Sequence, residues 1–297
     1  MSDPALPDWL AEAEIAVVGL GLMGGSLAGA LRGMGNSPRL CRRVVGIVRR
    51  EAALPQAVLW VDEATTDLAR LATADAVVLA TPPRTILALL PRVAPLLRPR
   101  VLLTDLGSTK NAIVNAMAEL PPDILVVGSH PMCGKEDAGL AAADPGLFQG
   151  AAFVFCPVPD RPLEALARAC DLARAVGARP IVMDAPTHDR ITAAVSHIPY
   201  AAAIALVAAA EQVAAGGADD ALWQLAAGGF RDTTRIAVGD LDMWVDILLT
   251  NRSEILAHLR RLDRALAALT EAVLEEDAAR LRALLARAQQ RRRAGSF

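Results

Sequence analysis

Near the start of this chain the apolar run Ile15-Ala16-Val17-Val18 passes directly into Gly19-Leu20-Gly21-Leu22-Met23-Gly24, and a helical pattern continues to about Gly33. Few backbones satisfy a strand, three glycines at this spacing and then a helix. The first glycine permits a tight turn, the second lets another group approach the backbone, and the third lets helix pack on strand. Free N–H groups at the helix start then face the turn, where phosphates bind well. A second β-rich run, Val44 to Val48, follows at the separation expected of a dinucleotide-binding βαβ unit. Gly19, Leu20, Gly21, Leu22, Met23 and Gly24 are therefore candidate cofactor residues. The alternative is a glycine turn in an α/β protein without a cofactor.

Short apolar runs recur at Ala76–Ala80, ending in Thr81-Pro82-Pro83, at Val101–Thr104, and at Ile124–Val127, ending in Gly128-Ser129-His130-Pro131. Phe153–Cys156 and Pro180–Met183 extend the series, with a helix over Leu163–Val176 between them. Continuous apolar strands separated by helices indicate a parallel sheet covered on both faces. After Asp184 only helical patterns remain. The expected architecture is a Rossmann-like α/β dinucleotide-binding domain over residues 1–185 and an all-α domain over 186–297.

A net charge of -3 disfavours nucleic acid as a partner. Met1 to Ala13 has no basic n-region, so no signal peptide is read there and a cytoplasmic enzyme is expected. The four scattered cysteines (Cys41, Cys133, Cys156, Cys170) form no metal or disulfide pattern, so no metal is expected. Ile191 to Ala210 carries no formal charge, but Ser196, His197 and Pro199 would be costly in lipid. It is read as a helix buried inside protein, with alanines suited to close packing at a subunit interface, and not as a membrane span.

Cofactor choice is written after the second strand. NAD enzymes usually place an acid there for the ribose 2′-hydroxyl, whereas arginine accommodates a 2′-phosphate. Here Val48 is followed by Arg49 and Arg50, which favours NADP, with NAD left open because both arginines could be solvated. Thr81, at a strand end, is a further candidate cofactor contact. His130, just past another, is a candidate general base because imidazole titrates near neutrality.

Five motifs then occur in order: Gly19 to Ser26, Asp105 to Lys110, Ser129 to Gly134, Val195-Ser196-His197-Ile198-Pro199, and Gly228 to Ile236. Together they resemble the prephenate/arogenate dehydrogenase family, over about Glu14 to Asn251. The resemblance implies a helical dimerisation domain and a homodimer. It also implies NAD(P)-dependent oxidative decarboxylation of prephenate or arogenate, a cyclohexadiene with a 4-hydroxyl and a 1-carboxylate. On that basis His130 matches the catalytic histidine, Ser108 the serine that orients it near the nicotinamide, and Arg235 the arginine that holds the ring carboxylate. Glu136, His197 and Trp244 match residues lining the pocket, although Trp244 could be core and His197 a helix-entry residue. Tyr200 stands where many prephenate-selective relatives carry a second histidine, and Gly239 where serine is frequent, so the choice of substrate stays open. His188 and His258 match nothing catalytic and are read as surface or structural. Any inhibition by tyrosine is expected to compete within the active site.

Overall fold

A computed structural model describes residues 6–35, 38–135, 137–213 and 219–295. Its centre is an eight-stranded sheet: β1 (Glu14–Val18), β2 (Arg43–Ile47), β3 (Glu63–Thr65), β4 (Ala76–Leu79), β5 (Leu102–Asp105), β6 (Leu125–Pro131), β7 (Ala152–Pro157) and β8 (Arg179–Val182). The strand order is β3-β2-β1-β4-β5-β6-β7-β8. Successive side chains of a strand face opposite ways. Ile15 and Val17 therefore join Leu27, Phe153 and Phe155 in one core, while Ala16 and Val18 join Val45, Val77 and Ile86 in the other. Truncating a fully buried leucine such as Leu27 to alanine would cost about 2–5 kcal/mol.

Two features depart from the strand pattern expected above. β3 was not anticipated, since Glu-Ala-Thr is short, polar and half-buried at the sheet edge. β7 runs antiparallel to β6, with Gly128 opposite Cys156 and His130 opposite Val154. A parallel neighbour needs a long crossover, usually helical. Between β6 and β7 the only helical segment among the described residues is the single turn Leu140–Ala142, so the chain returns along the edge it has just left. The helix Leu163–Ala175 then carries the chain to β8, parallel to β7.

β1 pairs with both β2 and β4, so the order reverses between β1 and β4. The crevice at the carboxyl ends of these strands is where doubly wound sheets bind ligands. Gly19, Thr81, Ser108 and His130 all lie along this edge of the sheet.

Beyond β8 the described chain is helical. Asp184 caps the next helix by accepting from Thr187 N at 2.8 Å. The helix runs Ala185–Thr192, widens into a π turn over Ala193–His197, and continues as Ile198–Val213. Pro199 is the physical reason for the widening, because it has no N–H and its ring crowds the carbonyl four residues back. At the turn Ile198 N bonds Ala193 O, five residues back. This helix is long and apolar enough by composition to cross a membrane. The expectation is a helix buried inside protein with packing at a subunit interface; within the single chain 28% of its most apolar window is buried, and Ile191, Val195, Ile204 and Leu206 are exposed.

By packing, Met1–Arg252 forms one compact unit and Ser253–Phe297 a second. The helices Gly228–Thr234 and Leu241–Thr250 thus belong with the sheet, although residue pattern alone divides the chain at 185/186. Within the second unit Asp277 caps the helix Ala278–Ala294, and Arg280 pairs with Glu271 at 2.8 Å.

Candidate active site

The glycine turn is shaped by close approach. Gly19 has φ +97°, and a Cβ there would lie 2.7 Å from Thr81 Cγ2 and 2.8 Å from Ala80 O. A Cβ on Gly24 would fall 1.9 Å from Gly19 O, whereas Gly21 faces open space. The turn is therefore pressed against the end of β4, with its middle glycine free to receive a ligand, and the helix Leu22–Arg32 begins there. Beside it, Thr81 Oγ1 is buried without a hydrogen-bond partner among the described residues. A buried hydroxyl of this kind calls for a polar group from elsewhere, and a dinucleotide in the crevice would supply one. These residues fit the cofactor. Arg49 and Arg50 are exposed just beyond β2.

The floor of the site is a buried ion pair. Lys110 Nζ donates to Asp105 Oδ2 and, at 2.7 Å, to Ser129 O. The same carboxylate accepts from Gly107 N at 2.8 Å and Ser129 N at 3.0 Å. A pair this deeply buried is costly unless its remaining valences are met. Here they are, and the ends of β5 and β6 are locked together beneath His130.

His130 is the penultimate residue of β6, inside the strand and not after it. Its Nδ1 lies 2.8 Å from His188 Nε2, and His188 Nδ1 lies 2.7 Å from Asp189 Oδ1. Asp189 also accepts from Lys110 N at 2.7 Å and Asn111 N at 2.9 Å, so its carboxylate sits at the start of the helix Asn111–Ala118. Burial, helped by repulsion from His188, Lys110 and His197, holds the His130 imidazole well below its ordinary pKa, so it is uncharged near neutrality. The sequence reading missed His188. Of the two readings given for it, surface or structural, its burial excludes the surface, and it is His188 that contacts the His130 ring. Ser108 is half-buried and makes no hydrogen bond to His130. The available signal was the adjacent His188-Asp189 at a helix start, but such a pair is ordinary until the fold sets it against β6.

On the far side of Asp189 the network continues. Asn251 Nδ2 donates to Asp189 O at 2.8 Å and to His197 Nδ1 at 3.2 Å. His197 is buried, and desolvation lowers its pKa to about 4. Trp244 meets His197 edge-on at 6.3 Å between centroids and stacks on Tyr200. His197, Tyr200 and Trp244 therefore form one cluster. Arg235 opens the turn Arg235–Val238, exposed in the single chain, and Gly239 closes it against Trp244. Glu136 lies outside the described residues. Thr109 Oγ1 and Thr250 Oγ1, 2.8 Å apart, tie the helix Leu241–Thr250 to the sheet edge.

All four cysteines are free. Burial pushes the thiols of Cys41 and Cys133 up to about 11 and that of Cys156 up to about 12. Among the described residues no group of three or more His, Cys, Asp or Glu could hold a metal ion.

A glycine cradle at the switch point of a doubly wound sheet, with an uncharged histidine at a nearby strand end, defines a dinucleotide-dependent dehydrogenase. A family model for the prephenate dehydrogenase nucleotide-binding domain matches residues 27–182, and one for the prephenate dehydrogenase dimerization domain matches residues 184–287. The prephenate dehydrogenase of Bacillus subtilis (strain 168) is 34% identical over 276 residues, 90% of this chain and 72% of the relative. Among solved structures, prephenate dehydrogenase from Aquifex aeolicus, in complex with hydroxyphenyl propionate and NAD+, has a TM-score of 0.86 at 28% identity, covering 95% of this chain and 98% of that one. Synechocystis arogenate dehydrogenase has a TM-score of 0.77 at 31% identity, covering 94% and 98%. The chain belongs to the prephenate dehydrogenase family and is an NAD(P)-dependent oxidoreductase.

Proposed function

We propose that this chain oxidatively decarboxylates prephenate to 4-hydroxyphenylpyruvate, preferring NADP to NAD, and works as a homodimer. The observation that carries the reading is His130: an uncharged imidazole at the carboxyl end of β6, with Nδ1 already engaged by His188. Its Nε2 is left for the substrate's 4-hydroxyl, whose proton it accepts as base while Ser108 contacts the same group. Bound against Gly19–Gly24 and Thr81, the dinucleotide supplies the hydride acceptor.

Arg235 holds the ring carboxylate, a task suited to a planar guanidinium fork. His197, Tyr200 and Trp244 line the pocket around the rest of the substrate, and Glu136 is assigned to substrate binding by family resemblance alone. Asn251 donates to His197 Nδ1, which leaves His197 Nε2–H as a donor toward the side chain. A ligand with a phenol and a carboxylate in the Aquifex aeolicus relative supports this assignment. Exposed Arg49 and Arg50, without an acid between them and β2, support NADP. The exposed apolar residues of the helix Ala185–Val213 fall in the matched dimerization domain, which supports a second copy as their cover.

Arogenate is the second reading, favoured by Tyr200, which offers a phenol stacked on Trp244 and not an imidazole. Prephenate and arogenate, each with NAD and with NADP, should be assayed by reduced-cofactor absorbance and CO2 release. Turnover of neither substrate would defeat the proposal, and a preference for arogenate would decide for the second reading.

A further inference from the structure

We propose that His188 and Asp189 are positioning residues that fix which nitrogen of His130 faces the substrate and store the proton His130 removes. The proposal rests on the reading of His130 as base. Its geometry is a linear set of contacts: Asp189 Oδ1 to His188 Nδ1 at 2.7 Å, and His188 Nε2 to His130 Nδ1 at 2.8 Å.

The hydrogen positions are assigned for a dyad in which neither ring carries charge. The Asp189 carboxylate can only accept, and it already accepts from two backbone N–H groups. His188 Nδ1 must therefore carry hydrogen. With the dyad uncharged, His188 Nε2 is a lone pair, so the hydrogen shared with His130 sits on His130 Nδ1. His130 Nε2 is then bare, the form a base needs. Without His188, either ring nitrogen of His130 could hold the hydrogen, and one of the two tautomers is inert.

The same contacts relocate charge. As the hydride and its electron pair leave C4 for the nicotinamide, the hydroxyl proton passes to His130 Nε2, and the Nδ1 proton moves to His188 Nε2. The imidazolium then forms beside Asp189, while His130 stays uncharged next to Lys110 and His197. When the C1–carboxylate bond breaks, its electron pair completes the aromatic ring and the C4 oxygen becomes a phenolate. Both protons return along the same path to make the phenol. One hydride is transferred, one CO2 is released, and the dyad ends as it began.

The groups facing this dyad are few. Lys110 is paired with Asp105, and His197 is uncharged at neutral pH. Asp189 is thus the anion in direct contact with it. Added acid that protonates His130 removes the acceptor, which sets the acid limb of kcat.

The chain has four histidines, so 15N-histidine NMR of the full-length dinucleotide-free protein can read each tautomer. At neutral pH His130, assigned by its loss in His130→Asn, should be protonated at Nδ1 and bare at Nε2. The opposite tautomer would overturn the proposal. His188→Gln retains an acceptor for His130 Nδ1–H but cannot take the proton. We expect kcat to fall on the order of ten- to a hundredfold, part of what a whole base contributes, with KM and dinucleotide Kd unchanged. The acid limb should move, because His130 must now hold the charge alone and His188 no longer repels it. Unchanged kcat, or a lower kcat with an unmoved acid limb, would reduce His188 to scaffolding. If His188→Gln does not fold, the wild-type tautomer decides alone. Wild-type protein inactive on both substrates would defeat the functional reading, while the NMR result would still judge the dyad.

Discussion

The rings of Tyr200 and Trp244 lie face to face, with centroids 3.6 Å apart and planes within 7° of parallel. Tyr200 comes from the long helix after its π turn and Trp244 from the helix Leu241–Thr250. The stack therefore joins two helices.

Gly239 sets how the indole sits in that stack. A Cβ there would fall 2.4 Å from Trp244 Nε1. Gly239→Ala should displace the ring, an overpacking that costs about 1–3 kcal/mol. The expected result is a several-fold rise in substrate KM with unchanged dinucleotide Kd. Unaltered tryptophan fluorescence and KM would show that the stack does not depend on this glycine.

His130→Asn should lower kcat by about a hundredfold to ten-thousandfold, the usual contribution of a positioned base, while substrate and dinucleotide affinities stay near wild type. Because burial holds the His130 imidazole well below 6.5, the acid limb of wild-type kcat should lie below that of free histidine. A pH–rate profile and single-turnover kinetics test both points. A variant with wild-type kcat would remove His130 from the chemistry.

Arg235→Gln should weaken substrate binding by roughly 1.5–3 kcal/mol, the scale of hydrogen bonds to a charged group, and leave the dinucleotide Kd intact. KM for prephenate and calorimetric Kd for NADP separate the two effects. Equal damage to both would mark Arg235 as structural.

For the cofactor, Arg49→Ala/Arg50→Ala should shift kcat/KM toward NAD by about tenfold, the scale of a charge-assisted hydrogen bond discounted for exposure. The effect should shrink as salt screens the exposed arginines. An unchanged NADP/NAD ratio would leave both arginines as solvated surface charge.

His197 makes stability depend on pH. Its pKa is lowered from 6.5 to about 4 in the folded chain, so between these values the unfolded chain binds a proton that the folded one does not. The stabilisation is complete above about 6.5 and is lost as pH falls toward 4, roughly 3 kcal/mol in all. Urea unfolding across that range should show the slope, and His197→Asn should flatten it. An equal slope in the variant would assign the effect to other groups.

The glycine turn, the apolar strands and the change from strands to helices after Asp184 were all readable from residue pattern, because each depends on local backbone demands and on periodicity. Gly19 needs a positive φ, and Gly24 cannot carry a Cβ beside Gly19 O. β3 and the reversed direction of β7 were not readable. Glu63–Thr65 has no apolar signal, and direction depends on where a loop can return.

The site divides in the same way. His130, Arg235 and His197 stand in motifs that can be recognised along the chain, and the first two suit a base and a carboxylate clamp. Only the tertiary structure decided what His130 bonds to. Asp105 and Lys110 lock β5 to β6, and Asp189 seats itself on the amides of Lys110 and Asn111. That docking brings His188, fifty-eight positions away, within 2.8 Å of His130 Nδ1. Tautomer and proton affinity are set by such partners and by burial, which residue order does not contain.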